Sequence, residues 1–172
     1  MNKIDQIADA IEAVIDQIGR QLAWLVLVVV FLLFLQNPLR QYVRAGQFTA
    51  NDMGQLAHAA VFMIGIAYAW RWNSHVRVDI FYRHMRARTQ AIVNLFGTLV
   101  FLLPWLALVA WHGLPFVLLS VGLRESFPES NTPGYFLLKS LLLVFVAMMS
   151  LQAIAVIARS IVVIGDPSRA RT

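Results

Sequence analysis

Leu22-Ala23-Trp24-Leu25-Val26-Leu27-Val28-Val29-Val30-Phe31-Leu32-Leu33-Phe34-Leu35 is an unbroken run of apolar residues, and it sits in a segment without formal charge from Arg20 to Arg40. A helix needs about 20 such residues to cross a hydrocarbon core roughly 30 Å thick. Three further segments between charges meet that length: Asp52 to Arg71, Arg88 to Arg124, and Lys139 to Arg159. Backbone polar groups have no water to bond in lipid, so each span must be a helix. The fold class predicted is therefore an all-α integral membrane protein with four transmembrane helices, near 21–41, 53–72, 90–113 and 135–158. The third segment is long enough to tilt or to continue as a broken helix. Pro104 and Pro115 are its expected kink or stop points.

Composition agrees with these spans. Hydrophobic residues make up 59% of the chain and charged ones 13%, about half the charged share of a soluble domain. A chain of 172 residues cannot bury so much apolar surface in one soluble core. Cysteine is absent, which excludes disulfides, thiolate metal sites and cysteine nucleophiles. The net charge of +5 is read as arginine-rich cytoplasmic loops, and no nucleic-acid partner is expected.

Orientation follows from where the cations fall. Lys3 and Arg20, the five arginines from Arg71 to Arg88, and Arg159, Arg169 and Arg171 lie on one predicted side. Arg40, Arg44, Arg124 and Lys139 lie on the other. That asymmetry predicts cytoplasmic N- and C-termini. No secretory signal is expected, because amphipathic sequence with four acids precedes the first apolar run and no cleavage pattern follows it.

Residues 1–20 are expected to form an amphipathic helix, residues 21–163 the four-helix domain and residues 164–172 a short cytoplasmic tail. Ile4, Ile7, Ile11, Val14, Ile15 and Ile18 recur at helical spacing, with Asp5, Asp9, Glu12 and Asp16 on another face. The helix either lies along the membrane surface or runs into the first span. Its acidic face is either solvated or docked on a basic surface of a partner, since anionic headgroups repel it.

Chemistry is sparse. His58 and His112 are the histidines inside spans. Counted from the shared connector, they differ in depth by about 12 Å at 1.5 Å per residue, too far to share a haem iron. One of them is expected as a partnered polar residue near the outer interface. His75 and His84 have no spaced partner for a metal. No hydrolase serine motif, phosphate loop or pair of intramembrane carboxylates is present. No cofactor, metal site or enzymatic activity is expected. Pumps and transporters ordinarily place ionisable groups or matched broken helices inside the membrane. Their absence favours a scaffold over an autonomous transporter.

Two polar stretches remain. The connector after the second span reads Asn73-Ser74-His75-Val76-Arg77-Val78-Asp79-Ile80-Phe81-Tyr82, and Asp79 is placed to cap a short helix reaching Met85. The outer stretch runs Arg124-Glu125-Ser126 and on to Lys139. Glu125 and Lys139 are placed to pair there, an attraction worth little if exposed.

From Phe62 to Arg159 the sequence resembles the small membrane (DctQ-type) subunit of tripartite ATP-independent periplasmic (TRAP) transporters. The resemblance is carried by Gly65-Ile66-Ala67-Tyr68-Ala69, His75-Val76-Arg77-Val78-Asp79, Leu102-Leu103-Pro104 and Glu125-Ser126. It continues in Pro133-Gly134-Tyr135-Phe136-Leu137-Leu138-Lys139-Ser140 and Leu151-Gln152-Ala153. Family members often carry an acid at the start of the second span. Here Met53-Gly54-Gln55 follows Asp52, and no role is carried onto those positions. The resemblance implies a scaffold subunit in the bacterial inner membrane. Its partners would be a large elevator-type membrane subunit, a periplasmic solute-binding protein and membrane lipid. The solute, usually a carboxylate, and the driving cation, usually sodium, would bind the large subunit. His75, Arg77, Asp79, Glu125, Ser126 and Lys139 are the candidate partner-interface or structural residues. The rival reading is a membrane anchor of a haem or quinone redox complex.

Overall fold

The computed structural model describes residues 3–38, 47–72, 82 and 84–169. Among the described residues there are four long helices. α1 spans Lys3–Pro38, α2 Gln47–Arg71, α3 Ala87–Gly122 and α4 Tyr135–Gly165. A short 3₁₀ turn follows at Pro167–Arg169. All four are long and apolar enough to cross a membrane. The all-α membrane class stands, with boundaries that differ from the expected ones for physical reasons.

α1 is one continuous helix through both the acidic segment and the apolar run. Nothing between Gly19 and Leu22 breaks it, because the surrounding residues are good helix formers and the single glycine is tolerated at a packing contact. α3 likewise continues past Gln90 and His112 to Gly122, with Pro115 inside it. At Pro104 the helix widens into a π turn over Thr98–Leu102. There the Leu103 N–H reaches back five residues to the Thr98 carbonyl. The wider turn makes room where the proline ring would otherwise strike the preceding turn, and it absorbs the missing N–H.

α4 is the axis of the bundle. α1, α2 and α3 each pack against it, and α1 also packs on α2, whereas among the described residues α2 and α3 make at most marginal contact with each other. Burial follows that arrangement. Phe145, Met148 and Met149 of α4 form one cluster with Ile15, Ala67 and Leu106. Ile11 and Ile18 join it from α1, while Ile7 and Val14 remain exposed. The packing face of the N-terminal segment is thus its Ile11-Ile15-Ile18 edge, and the full expected apolar stripe is split between core and surface.

Close approach between helices uses small residues, since lipid tails provide no hydrophobic drive for association. A Cβ built on Gly19 would lie 2.1 Å from the Tyr68 ring. One built on Gly113 would lie 2.9 Å from Leu142. Trp24, Phe31, Phe34, Phe101, Trp105 and Trp111 are exposed, the apolar coat that a bilayer solvates.

Candidate functional site

Charge is gathered at the two ends of the bundle. Among the described residues, α1 has no Asp, Glu, Lys or Arg from 21 to 36, nor α2 from 53 to 70, α3 from 89 to 122 or α4 from 140 to 158.

One end brings together the start of α1, the end of α2, the start of α3 and the end of α4. Asp5, Asp9, Glu12 and Asp16 recur every three or four residues and share one stripe of α1. Arg159 of α4 forks onto Glu12, with Nε donating to Oε1 at 3.0 Å and Nη2 to Oε2 at 2.7 Å. The same Nη2 lies 2.6 Å from Asp9 Oδ1. Arg71, closing α2, reaches Glu12 at 3.1 Å and Asp16 at 3.8 Å. Arg169 bridges Asp5 and Asp166, each at 3.3 Å. Glu12 is buried, with 8% of its side chain exposed. The acidic face therefore meets arginines of its own chain, which differs from both the solvated face and the partner-docked face expected from sequence. The α1 stripe was visible in the sequence. Its partners were not, since Arg159 lies 147 residues away from Glu12.

A cleft of about 660 Å³ opens beside this cluster, between α2 and α3 and floored by α4. Its lining mixes Arg71, Arg159 and Arg169 with amide and hydroxyl side chains and with apolar ones such as Leu102 and Met149. Tyr82 props its rim: Gln90 Nε2 donates to the Tyr82 carbonyl at 2.9 Å and Asn94 Nδ2 to its hydroxyl at 2.8 Å. Gln152 is 3% exposed, and its Oε1 has no hydrogen-bond partner. Arg71 Nε is also buried without one.

The opposite end holds the expected outer stretch. Lys139 Nζ lies 2.6 Å from Glu125 Oε2, and Ser120 Oγ donates to the same oxygen at 2.5 Å. The ammonium also stands 4.4 Å from the Phe116 ring and 5.0 Å from that of Tyr135, within cation–π range. The Lys139 hydrogen bond, and then that of Ser120, hold the Glu125 carboxyl below its usual range. Ser126 pairs through its backbone with Pro133, and Phe127 N–H donates to the Thr132 carbonyl at 2.9 Å. Left-handed conformations at Arg124 and Asn131, and Gly134 at φ 135°, turn the chain tightly between α3 and α4. Two contacts were not anticipated. Ser130 donates its hydroxyl hydrogen bond to Asp52, and Gln36 Nε2 donates to Asn51 Oδ1 at 3.0 Å. Together they tie the turn to α2, and α1 to α2.

His75, Arg77 and Asp79 lie outside the described residues, and so does the expected Asp79 cap. His58 and His112 are exposed, on α2 and α3 respectively. Neither occupies the interior position that a haem-bridging ligand needs, and the redox-anchor alternative gains no support. Among the described residues no three His, Asp or Glu side chains gather as a metal site.

Four membrane-length helices, with the ionic clusters of the described residues at their ends, define a multi-pass membrane protein. The sequence model of the family described as "Tripartite ATP-independent periplasmic transporters, DctQ component" matches residues 29–162. That span is well over half of the chain, and the chain belongs to this family. It is a transporter component family and not an enzyme family. Neither the curated proteins nor the solved structures yield a match to this chain.

Proposed function

We propose that the chain is the small scaffold subunit of a secondary importer in the bacterial inner membrane. It pairs with the large elevator-type membrane subunit and has no transport site of its own. A periplasmic binding protein delivers the solute, a carboxylate, and a sodium gradient drives its entry through the large subunit. Both termini and the 73–86 connector face the cytoplasm. Residues 1–20 are the amphipathic segment, 21–163 the transmembrane domain and 164–172 the tail.

The observation that carries this reading is the distribution of charge. A coupled transporter needs groups in the membrane that bind its ion or solute, and the four span interiors offer no charged side chain. Fixed ion pairs at both ends suit a rigid body that braces a moving neighbour. In this reading His75, Arg77 and Asp79 present the connector to the large subunit. Glu125, Ser126 and Lys139 form part of the rim beneath the binding protein. A tag on this chain, co-expressed with the large subunit, should recover that partner from mild detergent. Asp79→Ala should lower recovery of the complex or its uptake rate and leave solute affinity unchanged. Recovery of the tagged chain alone, at wild-type sequence and full partner expression, would count against the pairing.

A further inference from the structure

We propose that the cleft between α2 and α3 is a water site: a chain of bound water that runs from the arginine-bearing end of the bundle to the level of Thr98, with Gln152 as its inner anchor. Two atoms of its lining residues call for partners of opposite sense. Gln152 Oε1 needs a donor and Arg71 Nε an acceptor, and neither has one. Arg71 shares Glu12 with Arg159, so it stands at the Arg159 end. Gln152 precedes Arg159 by seven residues on α4, about 10 Å further in. A single small solute answers one of these places. Water both donates and accepts, and so answers both. The Gln152 carboxamide turns about a broad, two-fold torsion, which lets its oxygen swing toward the cleft.

Polar groups recur along the depth of the cleft, among apolar ones. Gln90, Asn94 and Thr98 line it at every fourth position of α3, one stripe about 12 Å long. Gln152 and Ser160 line it from α4. Thr98, Gln152 and Ser160 are buried. An acyl chain in the cleft would leave these groups in hydrocarbon, where polar groups without partners are costly. The volume of about 660 Å³ has room for on the order of twenty waters at about 30 Å³ each. Hydration also accounts for the spacing of the helices. α2 and α3 each pack on α4, yet among the described residues they make at most marginal contact with each other.

Cysteine is absent from the chain, so a single introduced thiol reports the water around it. The test is the rate at which a membrane-impermeant, trimethylammonium-bearing thiosulfonate modifies Gly97→Cys and Phe96→Cys. It uses the full chain in lipid nanodiscs, open to reagent on both faces, so the result does not depend on which face is cytoplasmic. Gly97 lines the cleft, and a Cβ there meets nothing within 4 Å. Phe96 is its neighbour in depth, exposed on the surface outside the cleft. Gly97→Cys should react roughly tenfold faster or more, because lipid keeps a thiol protonated and the thiolate is the reactive form. Adding Gln152→Leu should slow Gly97→Cys several-fold and leave the melting temperature no higher. A dry, unpartnered carboxamide would instead be better replaced by leucine. Circular dichroism reports whether each variant folds, and Asn94→Cys against Ile92→Cys carries the comparison if Gly97→Cys does not. Equal rates at the paired positions, both slow as for a lipid-filled cleft or both fast, would overturn the proposal. So would an unchanged rate, or a raised melting temperature, on adding Gln152→Leu.

Discussion

Arg159 and Glu12, separated by 147 residues, meet as a two-pronged pair at 3.0 and 2.7 Å, and the pair ties the first helical turns of the chain to the last turns of its central helix. A fork of this kind needs the planar guanidinium and both carboxylate oxygens. Removing one partner strands a largely buried charge. Arg159→Ala or Glu12→Ala should destabilise the bundle by about 3 kcal/mol, and Arg159→Lys should restore only part of that. Replacing both by Met and Leu should cost less than the sum of the two single changes, because the loss of their shared fork is then counted once. Thermal unfolding in detergent measures all four. Equal melting temperatures for Glu12→Ala and wild type would remove the pair from any structural role.

At the other end, Glu125 and Lys139 make a bond of 2.6 Å that should be visible in pH dependence. The Glu125 carboxyl is held below its usual range, chiefly by Lys139. A depressed folded pKa means a contribution that is complete above the ordinary glutamate range and lost as pH falls through the depressed value. The difference in melting temperature between wild type and Glu125→Gln should therefore be constant at neutral pH and shrink in acid. A difference that grows in acid has the wrong sign for this pair.

The same pair offers a charge swap. Glu125→Lys and Lys139→Glu should each impair assembly or transport, and the double variant should recover part of the loss. Single variants that match wild type would leave the pair as interface decoration.

Of the described glycines, Gly19 is the most closely packed, with a Cβ position 2.1 Å from the Tyr68 ring. Gly19→Ala should force α1 from α2 and cost about 1–3 kcal/mol. Gly97→Ala meets no atom within 4 Å and should be neutral or slightly stabilising, by about 0.5–1 kcal/mol, as helix propensity favours alanine. A melting temperature unchanged by Gly19→Ala would mean that the α1–α2 contact relaxes freely.

Much of this fold was legible in the spacing of charges. The four uncharged segments map onto α1 to α4 because a membrane helix tolerates charge only at its ends. Glu125 and Lys139 were legible as a pair because a short turn separates them. Pro104 and Pro115 misled the boundary of α3, because a π turn accommodates the first and α3 continues through the second. The fate of the acidic stripe was not legible. Which arginines would neutralise Asp9 and Glu12 depends on how α4 crosses α1, and local sequence does not encode that crossing. Gln152 drew notice only as part of a resemblance, since an uncharged amide inside an apolar run has no local pattern that marks a cleft.

Orientation has its own test. Reporter fusions at Thr172 and after Arg88 should read cytoplasmic, and one near Gly46 periplasmic, as the excess of arginine and lysine requires. A periplasmic reading at Thr172 would end the four-span arrangement proposed here.

A scaffold subunit braces a transporter without carrying its solute. Uptake into proteoliposomes under an imposed sodium gradient, with the solute-binding protein and labelled solute present, tests it most directly. This chain alone should give no uptake, the large subunit alone none or little, and the two together uptake. Solute accumulation by this chain alone, or full-rate uptake by the large subunit without it, would rule out a scaffold role.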